Sequence, residues 1–273
     1  MRENGAQEGE ARNYRIAAVD RAISVVEALA EQPEQGVTAL ATRLNLTKSL
    51  VFRILQTLEQ RGVVVRNPDR AEYSLGFRMS LLGERASRQD GLLFAARPIM
   101  DHLQEVTGEN VNLLVREHHE VVVVATREGR HSMRLFAHPG RHGPLHAGGA
   151  SQVLLAFAPP PVRQAVLSAP LQRFTPHTIT DPAALQRVLD RIRSQHWNVA
   201  QNDLDEGAFS VAAPIRGIGE EVVAAISVAG AVARLDEDRR QRNLAAVRLA
   251  ADRISRSLVD GPAAEMTGRH AQP

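Results

Sequence analysis

Cysteine is absent from the chain. That absence excludes a disulfide framework, a cysteine-ligated zinc site, an iron–sulfur cluster and a thiol nucleophile, and it leaves the compartment unreadable from redox chemistry. Lysine occurs once, at Lys48, so no glycine-rich phosphate loop with its lysine is present. No stretch reaches the roughly 18 uninterrupted apolar residues of a membrane span, and the first twenty residues are charged before any apolar run, unlike a signal peptide. The expectation is a cytoplasmic protein with no membrane partner. Over 273 residues, 44% apolar and 23% charged side chains exclude disordered, collagen-like and coiled-coil classes, leaving a globular chain of one large domain or two modest ones.

A net charge of +2 does not by itself imply a polyanion partner, so the distribution of charge matters more. Between Gly36 and Ser80, seven bases (Arg43, Lys48, Arg53, Arg61, Arg66, Arg70, Arg78) face three acids (Glu59, Asp69, Glu72), a local excess of four. The same segment carries the clearest punctuation. Val19, Ile23, Val26 and Leu29 have helical spacing and end at the breaker-rich Glu31–Gly36; Thr38 can cap a second short helix through Leu44; Asn45-Leu46 makes a turn; Thr47 can cap a third helix to about Gln60, closed by Gly62. Val63–Arg66 and Glu72–Leu75 read as strands around Asn67-Pro68-Asp69-Arg70. Helix, helix, turn, helix and hairpin is the order of a winged helix-turn-helix.

The pattern predicts a tail over 1–14, the winged domain over 15–78, linker helices over 79–107, a second domain over 108–260 and a tail over 261–273. In the second domain, strands are expected at Val111–Arg116, Val121–Arg127, Met133–Phe136, Phe209–Arg216 and Val222–Ala229. Helices are expected at Ala147–Phe157 and Pro182–Ser194, with a last one repeating Leu244, Val247, Ala251, Ile254 and Leu258. Interleaved hairpins and helices imply an α+β sheet domain covered by helices.

On a helical wheel the third helix separates Leu50, Val51, Ile54, Leu55 and Leu58 from an arc holding Lys48, Ser49, Phe52, Arg53, Gln56 and Gln60. Arginine, lysine and glutamine supply the donors and acceptors that base edges require in a major groove, and Thr38, Thr47 and Ser49 near helix starts suit phosphate. Arg66 and Arg70 on the hairpin would contact phosphate or minor groove. A polar arc is also what any solvated face looks like; the preceding capped helix, the turn and the basic hairpin favour DNA.

Enzyme readings find less support. His138, His142 and His146 recur at steps of four, but Pro139, Gly140, Gly143 and Pro144 forbid the helix that would align them on a metal. Ser151 lacks the second glycine of a nucleophile elbow. No catalytic group, metal or cofactor is expected.

The chain resembles the IclR type of bacterial transcription factor. The resemblance rests on Arg21-Ala22-Ile23, Leu46 to Leu58 (LTKSLVFRILQTL), Tyr73-Ser74-Leu75-Gly76, Pro144-Leu145-His146-Ala147, Leu154-Leu155-Ala156, Gly207 to Ile215 and Ala224 to Gly230. It implies a winged helix-turn-helix, a linker helix and a GAF-like effector-binding domain, in a dimer or dimer of dimers on a palindromic double-stranded operator. It further implies a repressor of a neighbouring catabolic operon, modulated by a small organic or aromatic acid. Carried over by position, the effector cavity would be lined by Gly148, Gly149 and Ala150 at a helix start, by Asp203 or Ala200, by Ser210, Ser227 and Ala229, and by apolar Leu145 and Ile226. Leu50 and Phe52 replace the family's usual threonine and histidine, and Asn202-Asp203 its usual pair of glutamates, so base preference and ligand are altered. The competing reading is a GAF-like small-molecule-binding or hydrolytic protein whose N-terminal helices serve oligomerisation.

Overall fold

The computed structural model describes residues 16–89, 91–130 and 137–260. The expected strand Met133–Phe136 and both expected tails lie outside the described residues. The chain divides into two compact units, Met1–Ala86 and Ser87–Pro273.

In the first unit, α1 (Ala17–Glu31), α2 (Val37–Arg43) and α3 (Lys48–Gln60) pack on a three-stranded antiparallel sheet of order β1 (Gln35–Gly36), β3 (Glu72–Leu75), β2 (Val64–Asn67). Val25, Leu29, Leu40, Val51, Leu55, Val64 and Tyr73 form its core. Gly62 closes α3 with φ +69°, the left-handed conformation that glycine adopts without penalty. Two expectations need correction. The buried face of α1 is Val25, Ala28 and Leu29, whereas Val19 and Ile23 are 57% and 52% exposed; alanines at 22 and 28 let this other stripe approach the core closely. Thr38 caps nothing: α2 begins at Val37 because β1 delivers the chain already extended, so the cap position falls on Gly36. The exposed Thr38 instead lends its carbonyl to the Thr42 hydroxyl.

The second unit is built on a six-stranded antiparallel sheet of order β6-β5-β4-β9-β8-β7. These strands are β4 (Asn110–Glu117), β5 (Glu120–Arg127), β6 (His142–Pro144), β7 (Asn198–Gln201), β8 (Ala208–Arg216) and β9 (Val222–Ala231). One face carries Val111, Leu113, Val211, Ala213, Ile215, Ile226 and Val228 against α5 (Gly91–Thr107) and α9 (Glu237–Asp260). The other meets α6 (Gly149–Ala156) and α8 (Pro182–Gln195) through Leu114, Ala212, Ala225, Val153 and Leu189. Burial on both faces turns β8 and β9 into nearly continuous apolar runs rather than alternating ones.

Helix α5 lies within the stretch expected to link the domains, yet it packs as a wall of the second unit's core through Ala96, Ile99, Met100 and Leu103. It starts afresh at Gly91 and keeps Pro98 inside. His142–Pro144, in the stretch whose prolines and glycines forbid a helix, form β6, paired to β5 with Glu120 opposite Pro144. The run Pro159-Pro160-Pro161 follows α6 and also starts α7 (Pro160–Ser168), since proline suits the first helical positions.

At the junctions flanking this core, Arg234 holds the buried Glu109 with a fork of two bonds, Nε to Oε1 at 2.9 Å and a second nitrogen to Oε2 at 2.5 Å. Gly230 leaves the room, since a Cβ there would stand 2.3 Å from Glu109 Oε2. Removing the cation strands a buried carboxylate, so Arg234→Ala is expected to lower the unfolding free energy of this unit by about 3 kcal/mol. Urea unfolding followed through Trp197, the only tryptophan, reads this; a loss below about 1 kcal/mol, the scale of an exposed pair, would contradict it.

Candidate functional site

Two surfaces gather the residues picked out from the sequence. On α3, Val51, Ile54 and Leu55 are buried, while Thr47, Lys48, Ser49, Phe52 and Arg53 are exposed and Gln56 is half-buried. Thr47 caps the helix, its hydroxyl accepting from the Leu50 amide at 3.4 Å and standing 3.3 Å from the Ser49 hydroxyl. Among the described residues, neither Lys48 nor Arg53 has an acid within 4.0 Å. Their charge is therefore available to an outside anion. Phe52 is 45% exposed at the centre of the same face, which is unusual for phenylalanine without something to cover it.

The rest of the basic excess is not all available. Arg43 binds the Glu31 carboxylate, the Gln32 side chain at 3.2 Å and the Ala28 carbonyl at 3.3 Å, so it finishes the end of α1. On the hairpin, Arg66 lies over the Tyr73 ring at 6.0 Å, and Arg70 is 3.9 Å from Glu34. Both remain exposed.

The second surface is a cavity of about 300 Å³ in the second unit, between the sheet and the start of α6. Gly148, Gly149, Ala150, Asp203, Ser210, Ser227 and Ala229 line it. Leu145 does not: just past β6 its side chain turns into the core beneath α6. Ile226 packs on the opposite sheet face, and Ala200 stands outside the lining. Among the lining residues that sequence reasoning missed are Asn112, Leu114, Val121, Val123, Arg141, Ser151, Phe174 and Phe209. One signal was present for Asn112: it shares a face of β4 with Leu114, a polar residue where the two-residue period demands an apolar one.

The start of α6 fits against β8 without a side chain to spare. A Cβ at Gly149 would stand 2.8 Å from the Ser210 carbonyl oxygen, and Gly148 has φ +93°. Asp203, buried, fixes this turn: its Oδ2 accepts from the Gly148 amide at 2.8 Å and from Gln152 Nε2 at 3.2 Å. Gln152 is held in turn, donating to the His146 carbonyl at 3.0 Å and accepting from Asn198 Nδ2 at 2.7 Å. Thr178 grips the Asp203 carbonyl at 2.6 Å, and Thr175 that of Asn202. Burial pushes the Asp203 carboxyl above its ordinary value; the amide bonds, Gly148's foremost, oppose this, and the charge of Asp205 adds to it.

By contrast, the side chains of Asn112, Ser151, Ser210 and Ser227 make no hydrogen bond within the described protein. The first amides of α6 also lack helical acceptors, as at any helix start. The cavity thus offers donors and acceptors set in a largely apolar wall, which suits a small polar ligand. Among the described residues no histidine is hydrogen-bonded to the Ser151 hydroxyl, which lacks the base that would activate it as a nucleophile. The three histidines diverge: His142 turns to Glu120, His146 to the Gln172 carbonyl, and His138 to Pro139.

A winged helix-turn-helix with an unneutralised polar helix face, on one chain with a sheet unit enclosing such a cavity, defines a DNA-binding transcriptional regulator. Residues 18–68 match the IclR helix-turn-helix domain, and residues 85–256 match the C-terminal domain of the bacterial transcriptional regulator IclR. The chain belongs to the IclR family. It is 34% identical to the HTH-type transcriptional regulator BhcR of Paracoccus denitrificans over 82% of this chain and 81% of that protein. It is 31% identical to the HTH-type transcriptional repressor AllR of Klebsiella pneumoniae over 91% and 92%. Its structure is similar, with a TM-score of 0.81 and 29% identity over 89% of this chain and all of the other, to an IclR homolog from Microbacterium hydrocarbonoxydans complexed with 4-hydroxybenzoate. The protein is a regulator and not an enzyme, and the hydrolytic alternative falls away.

Because Asp203 is shifted upward, its ionisation costs the folded state stability as pH rises from the ordinary carboxylate value through the folded one. Asp203→Asn lacks that term. Wild type is therefore expected to lose stability relative to the variant as pH rises above the ordinary carboxylate value, until Asp203 is ionised in the folded state as well. Urea midpoints read through Trp197 across that range check this, and a gap that widens toward low pH would contradict it.

Proposed function

We propose that the protein binds a palindromic operator as a dimer, or dimer of dimers, and represses a neighbouring catabolic operon until a small organic or aromatic acid occupies the cavity. The observation that carries the regulatory half is the set of unpartnered polar groups facing a 300 Å³ cavity, at the lower end of ligand-site volumes. The ligand carboxylate meets the α6 amides with Arg141 at the rim, and Leu114, Val123, Phe174 and Phe209 cover the rest. The homolog holding 4-hydroxybenzoate supports an acid of this size. A second carboxylate beside Asp203 favours the protonated form, so acid binding takes up a proton and weakens as pH rises.

On DNA, Thr47 and Ser49 meet phosphate, Lys48, Phe52, Arg53 and Gln56 face the major groove, and Arg66 and Arg70 serve the wing. Thr38, exposed in the first turn of α2, adds a hydroxyl toward the backbone. A palindrome needs two winged units, and exposed apolar side chains at Ile16, Val19 and Ile23 on α1, with Phe77, Leu81 and Leu82 on α4 (Phe77–Gln89), supply surface for assembly. The described helices include none long and apolar enough to cross a membrane, which agrees with action on DNA in the cytoplasm.

Two measurements check this reading. Arg53→Ala should weaken binding to the protein's own upstream region by about 5- to 150-fold, the equivalent of 1–3 kcal/mol, without lowering thermal stability. Unchanged affinity removes Arg53 from the reading surface. Sedimentation at micromolar concentration should find dimers or tetramers, and monomer alone, with and without DNA, sinks the assembly.

A further inference from the structure

We propose that Asn112 is the residue by which the cavity distinguishes a hydroxylated acid from its unsubstituted counterpart, its side-chain carbonyl accepting a hydrogen bond from the ligand hydroxyl. This rests on the reading of the cavity as the effector site.

Asn112 is 5% exposed and its Oδ1 is buried with no hydrogen-bond partner. An unsatisfied amide carbonyl in an apolar surrounding is costly, and folded proteins rarely retain one without a use. The strand itself could have hidden it: Val111 and Leu113 on the opposite face of β4 are fully buried in the core, but the two-residue period puts Asn112 on the cavity side. Its register partner across β4 and β9 is Ser227, whose hydroxyl is likewise unbonded in the protein. Directly opposed side chains in an antiparallel pair have Cβ atoms about 5 Å apart, close enough for one ligand group to meet both. A ligand hydroxyl is donor and acceptor at once; it can donate to Asn112 Oδ1 and accept from Ser227.

The position of this pair sets the ligand's length. Ser210, against which Gly149 is pressed, pairs with Ala229, two residues along β9 from Ser227. Two strand residues span about 7 Å. That places the hydroxyl-binding pair and the α6 amides at opposite ends of a space suited to one six-membered ring with a carboxylate and a hydroxyl across it. Leu114, two residues past Asn112 on the side away from Ser210, offers only apolar contact.

The test uses full-length protein. Asn112→Leu keeps the branch at Cγ, is larger toward the cavity and has no polar atom, so without ligand its thermal midpoint should rise by about 2–6 °C; a fall would show that the amide is bonded structurally and would overturn the proposal. Calorimetry then compares 4-hydroxybenzoate with benzoate. Wild type should prefer the hydroxylated acid by about tenfold, and Asn112→Leu and Asn112→Ala should bring the two within about twofold while still binding benzoate. A preference that survives both substitutions, or wild type that binds neither acid, overturns the assignment. Other acids releasing the operator would then leave the effector-site reading intact, whereas release by no acid at all would remove that reading as well.

Discussion

A sheet whose two faces are both apolar has to be covered twice, and the effector unit follows from that constraint. Helices α5 and α9 cover one face completely, and the side chains beneath them, Val111, Leu113, Val211, Ile226 and Val228, are buried almost without remainder. The other face is covered by α6 and α8, but α6 spans only Gly149–Ala156, and it stands on the sheet at its glycine end. Where this cover stops, Asn112, Ser210 and Ser227 face a space instead of a helix. The cavity is the part of the second layer that the chain leaves unbuilt.

Asp203 gives that space its chemical character. Its carboxyl is buried and therefore resists ionisation, although the Gly148 amide and Gln152 that hold it pull the other way. Gln152 and Asn198 carry the restraint on to β7, so the loop holding Asp203 and the helix it faces move together or not at all. A ligand reaching the α6 amides meets a site already polarised, which lowers the reorganisation that binding requires.

Legibility differed sharply between elements. The order of the winged unit was readable because Thr47, Gly62 and the hairpin turn are local signals with local causes. The face of α1 was not, because two apolar stripes overlap on it and only the tertiary partner selects Val25 over Ile23. β6 and β7 are three and four residues long at the sheet edges, too short for a periodic signal, and each pairs with only one strand. Cavity residues near glycines and serines were recovered through family position, whereas Leu145 was misplaced because an apolar residue beside a site looks the same whether it faces ligand or core. Asn112 needed the sheet register before its isolation could be recognised.

The turn at Gly148-Gly149 divides the labour of recognition between main chain and side chains. One pole of the cavity is made of peptide amides, which among side-chain changes only proline removes, and the absence of a side chain at 149 is enforced by the 2.8 Å approach to Ser210. The other pole consists of side chains on strands, Asn112 and Ser227, each replaceable without disturbing a backbone hydrogen bond. A protein so divided has an easy evolutionary route to new inducers: the carboxylate end stays fixed while the far end is rewritten one residue at a time. The gene it controls can thus change its chemical signal without the regulator changing its fold.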